Sequence, residues 1–392
     1  MNKDDAANIS KSRKFNIVFL IDGLGWGGAE RLMVPILANI DRELFSVRVG
    51  VFQIRNGNPI ADDLRSLGIP VDLIPVPYLR DLTAVSRITS YLKDVKADLI
   101  HAQLELGDIL GGIAALRMHL PSVSTLHTMP SQDMSLKSRL HQEAEYFCLR
   151  HFFNMVISVS NEARQFHRKI GRLSDQKTCT IYNGIDLSNF PTAPQLDRKI
   201  VLNEFSIPTS ATVLITVAVL RELKGIQYMI RALPKILAAN PDLYYLVAGS
   251  GDFQDELVVE AAQAGVSERV IFAGARKDIP ALMSASDLFV LPTLTEALPT
   301  VLAEAMASYL PILACRVGGV PEMVEDGING RLVTPADSQQ LASACNEMLK
   351  QPAALFEMGQ AGRRIVEEKF NVHVQVQKLQ SLYQNLITTY EK

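Results

Sequence analysis

Phe15-Asn16-Ile17-Val18-Phe19-Leu20-Ile21 is a short apolar run, and Asp22-Gly23-Leu24-Gly25-Trp26-Gly27-Gly28-Ala29-Glu30 follows it before a helical pattern begins at Ala29. Strand, glycine-rich loop and helix in this order open an α/β unit. The loop formally satisfies G-x-G-x-x-G, so a dinucleotide site has to be weighed. Such a site wants an acid at the end of the next strand to hold a ribose, and that strand ends here in Val51-Phe52-Gln53. The dinucleotide reading is therefore set aside. Gly27 and Gly28 can still bring backbone amides close to a phosphate at a helix start, where the dipole favours an anion. A tight turn needing positive φ is the plain alternative.

Outward from this unit the pattern repeats. Strands are expected at Ser46–Phe52, Val71–Ile74, Asp98–His101, Ser122–His127 and Met155–Ser158, with amphipathic stretches between several of them. The alternation pauses at Phe190–Pro208 and resumes with strands at Thr212–Leu220, Tyr244–Ala248, Val270–Phe272, Leu288–Leu291 and Ile312–Ala314. Leu341–Lys350 and Val372–Tyr390 read as helices from their apolar spacing. The expected organisation is a disordered tail over 1–13, a Rossmann-like domain over 14–190, a linker over 191–207, a second Rossmann-like domain over 208–371, and a last helix over 372–392. Two doubly wound parallel-sheet domains would bind ligands at the carboxyl ends of their strands.

Composition bounds the function. The chain has 392 residues, enough for two cores, and a formal charge of −3, which gives no global reason to bind nucleic acid. Its four cysteines, Cys148, Cys179, Cys315 and Cys345, form no C-x-x-C pair or metal spacing and read as reduced thiols of a cytoplasmic protein. No run approaches the roughly 20 apolar residues of a membrane helix. The basic stretch Arg164–Arg172 could meet anionic headgroups, giving a peripheral membrane association; a solvated helix end is the favoured reading of the two. Oligomeric state is not legible.

The second half carries more chemistry. Arg221 and Lys224 follow a strand, in Leu220-Arg221-Glu222-Leu223-Lys224-Gly225. A guanidinium fork and an ammonium there can neutralise a leaving diphosphate without a metal; a solvated basic loop is the bland reading. Then comes Glu296-Ala297-Leu298-Pro299-Thr300-Val301-Leu302-Ala303-Glu304. Pro299 suits a helix start, which leaves Glu296 in the loop and Glu304 one to two turns inside. A carboxylate accepts two hydrogen bonds from vicinal hydroxyls, so one beside a sugar and one beside a ribose make sense. Gly249-Ser250-Gly251 and Gly318-Gly319-Val320-Pro321-Glu322 repeat the strand-and-turn device, with plain turns as their alternative.

Taken with Asn183-Gly184-Ile185-Asp186 and Asp326-Gly327-Ile328-Asn329-Gly330, these segments make the chain, from Phe15 to about Phe370, resemble the retaining glycosyltransferases of family four, which have the GT-B fold. The resemblance implies two facing Rossmann-like domains with a cleft between them, and a metal-independent enzyme without a cofactor. Its donor would be a nucleotide diphosphate sugar, with a UDP-sugar favoured over GDP-mannose, and a hexose or N-acetylhexosamine would pass to a glycan or lipid-linked acceptor in cell-surface polysaccharide synthesis. It assigns Gly27 and Gly28 to the donor diphosphate, Arg221 and Lys224 to its stabilisation on leaving, Glu296 to the sugar hydroxyls, and Ala297, Leu298, Pro299 and Thr300 to sugar and phosphate through their backbone. Gly249 would join the donor site, and Glu304 would bind the ribose. His127 would lie beside the transferred sugar, or be only a hydrogen-bonding wall. Arg276 and Lys277 would meet the base, and the last helix, after Phe370, would cross back to the first domain. Acceptor contacts would come from Asn56–Pro59, Tyr78–Thr83 and Pro130–Arg139. The family's glycine before the apolar-Pro step is Tyr309 here, costly if φ is positive, and Thr128 stands where many members have aspartate. A nucleotide-sugar epimerase or phosphorylase on the same scaffold, and a silent nucleotide-sugar binding protein, are the rival readings.

Overall fold

A computed structural model describes residues 13–130, 135–190 and 198–390. The chain divides into two compact units. The first takes in Met1–Val159, Ala163–Ile181 and Gln375–Lys392, the second Ser160–Glu162 and Tyr182–Val374.

The first unit is built on a parallel sheet of β1 (Phe15–Ile21), β2 (Phe45–Val51), β3 (Val71–Leu73), β4 (Leu99–Gln103), β5 (Ser122–Leu126), β6 (Met155–Ser158) and β7 (Thr178–Thr180), in the order 3-2-1-4-5-6-7. β1 pairs with β2 on one side and β4 on the other, so Phe19 lies between Val49 and His101. Residues Ile17 to Ile21 are buried, which is why this strand reads as a continuous apolar run rather than an alternating one. From Gln375 the chain belongs to this unit again: Tyr383 is fully buried, sits edge-on to Phe45 and His101, and meets His101 Nδ1 at 2.5 Å.

The second unit repeats the plan with β8 (Thr212–Val217), β9 (Leu243–Ala248), β10 (Val270–Gly274), β11 (Leu288–Leu291), β12 (Ile312–Cys315) and β13 (Gly330–Val333), all parallel, in the order 10-9-8-11-12-13. Its core packs the helices Ile226–Ala239 and Ser338–Leu349 against the sheet through residues such as Ile230, Leu233, Leu341 and Cys345. A polar seam at its centre is satisfied. Thr216 donates to the Val290 carbonyl at 2.6 Å and therefore accepts from the Tyr245 hydroxyl at 2.7 Å.

Expected boundaries move in two places. The first unit gives way to the second after Ile181, not at 190. The expected linker is also no simple spacer. Residues 191–197 lie outside the described ones, but Arg198–Glu204 is a helix of the second unit, and Arg198 reaches Asp287 at 2.8 Å and the Ala285 and Ala211 carbonyls. Two prolines and scattered apolar residues hid this short helix, whose anchor is an ion pair distant in sequence. Of the expected tail, 1–12 lie outside the described residues, while Arg13 pairs with Asp98. All four cysteines are free. No described helix is long and apolar enough to cross a membrane.

Candidate functional site

In the second unit five loops leave the carboxyl ends of the strands, and close backbone contacts bind them into one cluster. Gly225 has φ +68 and lies so near Pro292 that a Cβ would come 2.0 Å from the Pro292 oxygen. Leu294 N–H donates to the Leu223 carbonyl at 2.9 Å, tying the loop after β8 to that after β11. Gly249 has φ +138, and a Cβ there would stand 1.8 Å from the Ala218 oxygen. Its N–H donates to the Gly274 carbonyl at 2.8 Å, which brings in the loop after β10. A Cβ on Gly319 would lie 2.2 Å from the Ala297 oxygen, which brings in the loop after β12. Glycine at 225 and 249 answers both a backbone conformation and a lack of room.

This cluster gathers the expected donor residues. Lys224 ends a short 3-10 turn, Glu222–Lys224, and its Nζ donates to Glu296 Oε1 at 2.6 Å. Thr293 Oγ1 approaches the same oxygen at 3.3 Å. The Glu296 carboxylate is 12% exposed and the Lys224 side chain 29%, so the pair is partly shielded but reachable from solvent. Arg221 begins the same turn, is exposed, and makes no ion pair among the described residues. Ala297, Leu298 and Pro299 are buried, and the helix Thr300–Ala307 starts directly after Pro299. Its first amides have no intrahelical acceptor and carry the positive end of the helix dipole. Glu304 lies in that helix, half-buried.

Arg276 is less available than the sequence suggests. Its guanidinium is shared between Asp278, at 2.7 Å, and Glu204, at 3.0 Å, with Phe205 stacked beneath it at 5.5 Å. Lys277 beside it is exposed. Tyr309 does take positive φ, +60, so the side chain carries the strain that glycine would avoid. Arg363 covers its ring at 5.3 Å and holds the Ala307 carbonyl at 2.7 Å.

In the first unit, Gly27 caps the helix Gly28–Ala38 with φ −70, so no left-handed turn demands glycine there. A Cβ on Gly27 would collide with the Glu30 carboxylate, whereas one on Gly28 would meet nothing within 4 Å. Gly28 is thus open at a helix start for neither steric nor conformational reasons. Two of the loops expected to touch an acceptor are shaped locally: Asn58 Oδ1 accepts from Leu24 N–H at 3.1 Å and Arg55 N–H at 2.8 Å, and Asp81 binds Thr83 and Arg87. Residues 131–134 of the third lie outside the described ones. In the basic stretch, Arg164 and Arg168 both hold Asp175, at 2.8 and 2.9 Å, and His167 is buried.

His127 follows β5 and lines a cavity of about 470 Å³. Neither ring nitrogen of His127 has a hydrogen-bond partner in the structure. Burial pushes its pKa down to about 4, so the ring is neutral at pH 7. The same cavity holds residues the sequence did not single out. Asp108 sits in a π-helical turn, Gly107–Gly111, inserted between helical segments, and is fully buried. Burial first, then the charge of Glu145, holds its pKa well above the usual carboxylate range. Glu145, on the helix Leu136–Phe152, is raised mainly by burial too. Ser124 and Glu145 approach Asp108 closely enough to perturb it, but neither Asp108 oxygen has a formed hydrogen bond. The available signal was an aspartate inside an apolar, glycine-bearing run, Gly107-Asp108-Ile109-Leu110-Gly111-Gly112.

These groups set a pH profile for the first unit. His101, His127 and His167 are depressed by burial to about 3, 4 and 4, so their contribution grows as pH rises towards the unfolded histidine value of about 6.5. Asp22, raised by burial to about 6, and the Asp108–Glu145 pair act oppositely. Their contribution is complete below about pH 4 and is lost as pH rises through their folded values. Unfolded histidine finishes deprotonating by about pH 7.5, and above that the carboxyls dominate the change. Thermal stability of the first unit is therefore expected to fall from about pH 7.5 to 8.5, and Asp108→Asn to flatten that decline. A melting temperature constant across this range in both proteins contradicts it.

Two family models match, "Glycosyltransferase Family 4" over residues 26–189 and "Glycosyl transferases group 1" over 197–365. The crystal structure of HepE from Anabaena in complex with UDP is 26% identical, superimposes with a TM-score of 0.85, and covers 95% of this chain and 100% of its own. The UDP-Gal:alpha-D-GlcNAc-diphosphoundecaprenol alpha-1,3-galactosyltransferase of Escherichia coli is 25% identical over 333 residues, 83% of this chain and 85% of that protein. The N-acetyl-alpha-D-glucosaminyl L-malate synthase of Bacillus anthracis is 26% identical over 319 residues, 79% of this chain and 80% of that protein. With one model on each half and strand orders that repeat 3-2-1-4-5-6 in both units, the chain belongs to the family-four glycosyltransferases and has the GT-B fold.

Proposed function

We propose that the chain moves a hexose or N-acetylhexosamine from a UDP-sugar to a glycan or lipid-linked acceptor, with retention at the anomeric carbon and without a divalent metal. The observation that carries this reading is the Lys224–Glu296 contact of 2.6 Å beside the start of the helix Thr300–Ala307. It sets a fixed cation, a carboxylate and unpaired helix amides together at the carboxyl edge of one sheet. Relatives named for UDP-galactose and crystallised with UDP support the nucleotide.

Each part has a role in such a transfer. Lys224 and Arg221 neutralise the diphosphate, and both charges are in place before the bond breaks. Glu296 holds Lys224 and accepts hydrogen bonds from the donor sugar. Amides at Thr300 and Val301 face phosphate oxygen, and Glu304 takes the ribose diol. In the first unit, Gly28 leaves a helix start open to a phosphate, and neutral His127 offers a sugar hydroxyl a hydrogen bond without adding charge. The sugar–phosphate bond breaks as an acceptor hydroxyl bonds to the anomeric carbon on the same face. The leaving phosphate oxygen takes the acceptor proton, so no protein carboxylate becomes glycosylated.

The test is the anomeric coupling in the product by NMR, with EDTA present throughout. The same configuration as the donor is expected at an undiminished rate. An inverted product, or activity lost to EDTA and restored by magnesium, overturns the mechanism.

A further inference from the structure

Thr293 is a fully buried polar residue beside the donor residues, and more acceptors surround its hydroxyl than it can serve. It follows β11 by two residues, in Leu291-Pro292-Thr293-Leu294-Thr295-Glu296. Its Oγ1 lies 3.2 Å from the Leu223 carbonyl, 3.2 Å from the Thr295 carbonyl and 3.3 Å from Glu296 Oε1. Two carbonyls and a carboxylate only accept, and a hydroxyl has a single hydrogen to give. Each distance is also long for an O–H···O bond, whose usual value is about 2.7–2.8 Å. The hydrogen is therefore shared among these acceptors rather than committed to any of them.

The acceptors are not equivalent. The Leu223 carbonyl already accepts from Leu294 N–H at 2.9 Å, so it stays matched without the hydroxyl. Glu296 Oε1 already accepts from Lys224 Nζ at 2.6 Å, but that ammonium is the group aimed at a diphosphate. An ammonium carries three hydrogens, so Lys224 can keep one on Oε1 and turn the others to phosphate oxygen. Its charge is then divided, and Oε1 gains most from a second donor. A hydrogen bond to an ion is about twice as strong as one to a neutral carbonyl. Both side-chain contacts of Glu296 fall on Oε1, which leaves Oε2 as the oxygen that can face a ligand. The carboxylate keeps that orientation only while Oε1 is held.

We propose that Thr293 is a positioning residue for the donor sugar: its hydroxyl closes on Glu296 Oε1 as Lys224 engages the diphosphate, and so holds Oε2 towards the sugar hydroxyls. The inference rests on the donor reading above and deepens it, because it separates recognition of the sugar from recognition of the diphosphate. Thr293 is 0% exposed, so it acts on the ligand through Glu296 alone. The loop that carries Lys224 does not depend on the hydroxyl, since Leu294 N–H ties the Leu223 carbonyl in its absence. Loss of the hydroxyl is therefore felt at the sugar and not at the nucleoside diphosphate.

The test compares UDP with UDP-glucose, UDP-galactose and UDP-N-acetylglucosamine by calorimetry on the full chain, and follows UDP release from the UDP-sugar that binds most tightly. Thr293→Val keeps the shape and removes the hydroxyl. Its affinity for that UDP-sugar and its rate of UDP release are each expected to fall about tenfold, the scale of one hydrogen bond to a charged group, with UDP affinity within about twofold of wild type. Thr293→Ser returns the hydroxyl and is expected to recover most of the loss. In a Glu296→Ala background, Thr293→Val is expected to add nothing further, because the carboxylate it positions is gone. Should Thr293→Val fail to fold, as its melting curve reports, Thr293→Ala removes the same hydroxyl with a smaller side chain and is read in the same way. UDP and UDP-sugar weakened in parallel in a folded variant assign Thr293 to the shape of the loop after β8, which overturns the proposal. UDP-sugar binding indifferent to loss of the hydroxyl overturns it too, as does a loss that persists in the Glu296→Ala background. A wild-type chain that binds no UDP sinks the donor reading instead, so the two failures are distinct.

Discussion

Lys224→Ala is expected to lower the rate of sugar transfer about 100- to 1000-fold at saturating donor, the range found when one preplaced charge-stabilising donor is removed. The ammonium is held by Glu296 at 2.6 Å before any ligand arrives, so its position costs no reorganisation during the reaction. The same substitution strips a largely shielded carboxylate of its cation, and a stability loss of roughly 1–3 kcal/mol accompanies it. Glu296→Ala removes the anchor, and the double variant Lys224→Ala/Glu296→Ala completes a thermodynamic cycle. The two losses are expected not to add, because one contact links them. Initial rates of UDP release, measured beside melting curves, separate the catalytic from the structural effect. A Lys224→Ala enzyme within threefold of wild type shows that this charge does not face the leaving group.

Gly249→Ala is expected to destabilise the second unit by about 3 kcal/mol or more, enough to unfold a marginal domain. Two costs combine. At φ +138 an L-residue is strained, and its Cβ would stand 1.8 Å from the Ala218 oxygen, which is backbone and cannot rotate away. Gly265→Ala supplies the control. Its φ is +69, but nothing lies within 4 Å of the added carbon, so only the conformational cost of about 1 kcal/mol applies. Urea unfolding of the two variants resolves the steric part. Equal losses at both positions mean that the β8–β9 edge is looser than the geometry shows.

The expected strands lie close to the observed ones wherever a strand is central in its sheet. Phe15–Ile21, Met155–Ser158 and Leu288–Leu291 agree in full, because a strand covered on both faces must be apolar along its length. The strands that escaped notice, β7 and β13, are the last of each sheet, and their sequences, Thr178-Cys179-Thr180 and Gly330-Arg331-Leu332-Val333, carry no such run. An edge strand is defined by its one neighbour, which a local pattern does not record. The gathering of the expected donor residues was legible for a related reason. A parallel sheet delivers whatever follows each strand to one edge, so Arg221, Lys224, Gly249 and Glu296 could be placed together from strand ends alone. Asp108 and Glu145 could not. They sit within helical stretches, and their proximity depends on a π-turn and on the packing of Leu136–Phe152 beside it. Arg276 shows the opposite limit, since a charge at the right strand end is engaged by Glu204, distant in sequence.

The account rests on the second unit presenting fixed positive charge to a nucleoside diphosphate. Calorimetric titration of UDP into the wild-type chain and into Arg221→Ala/Lys224→Ala tests this most directly. One saturable site is expected in the wild type, and affinity at least about 100-fold weaker in the double variant, from two charge-assisted contacts worth roughly 1.5–3 kcal/mol each. A folded double variant that binds UDP as tightly as the wild type contradicts the account.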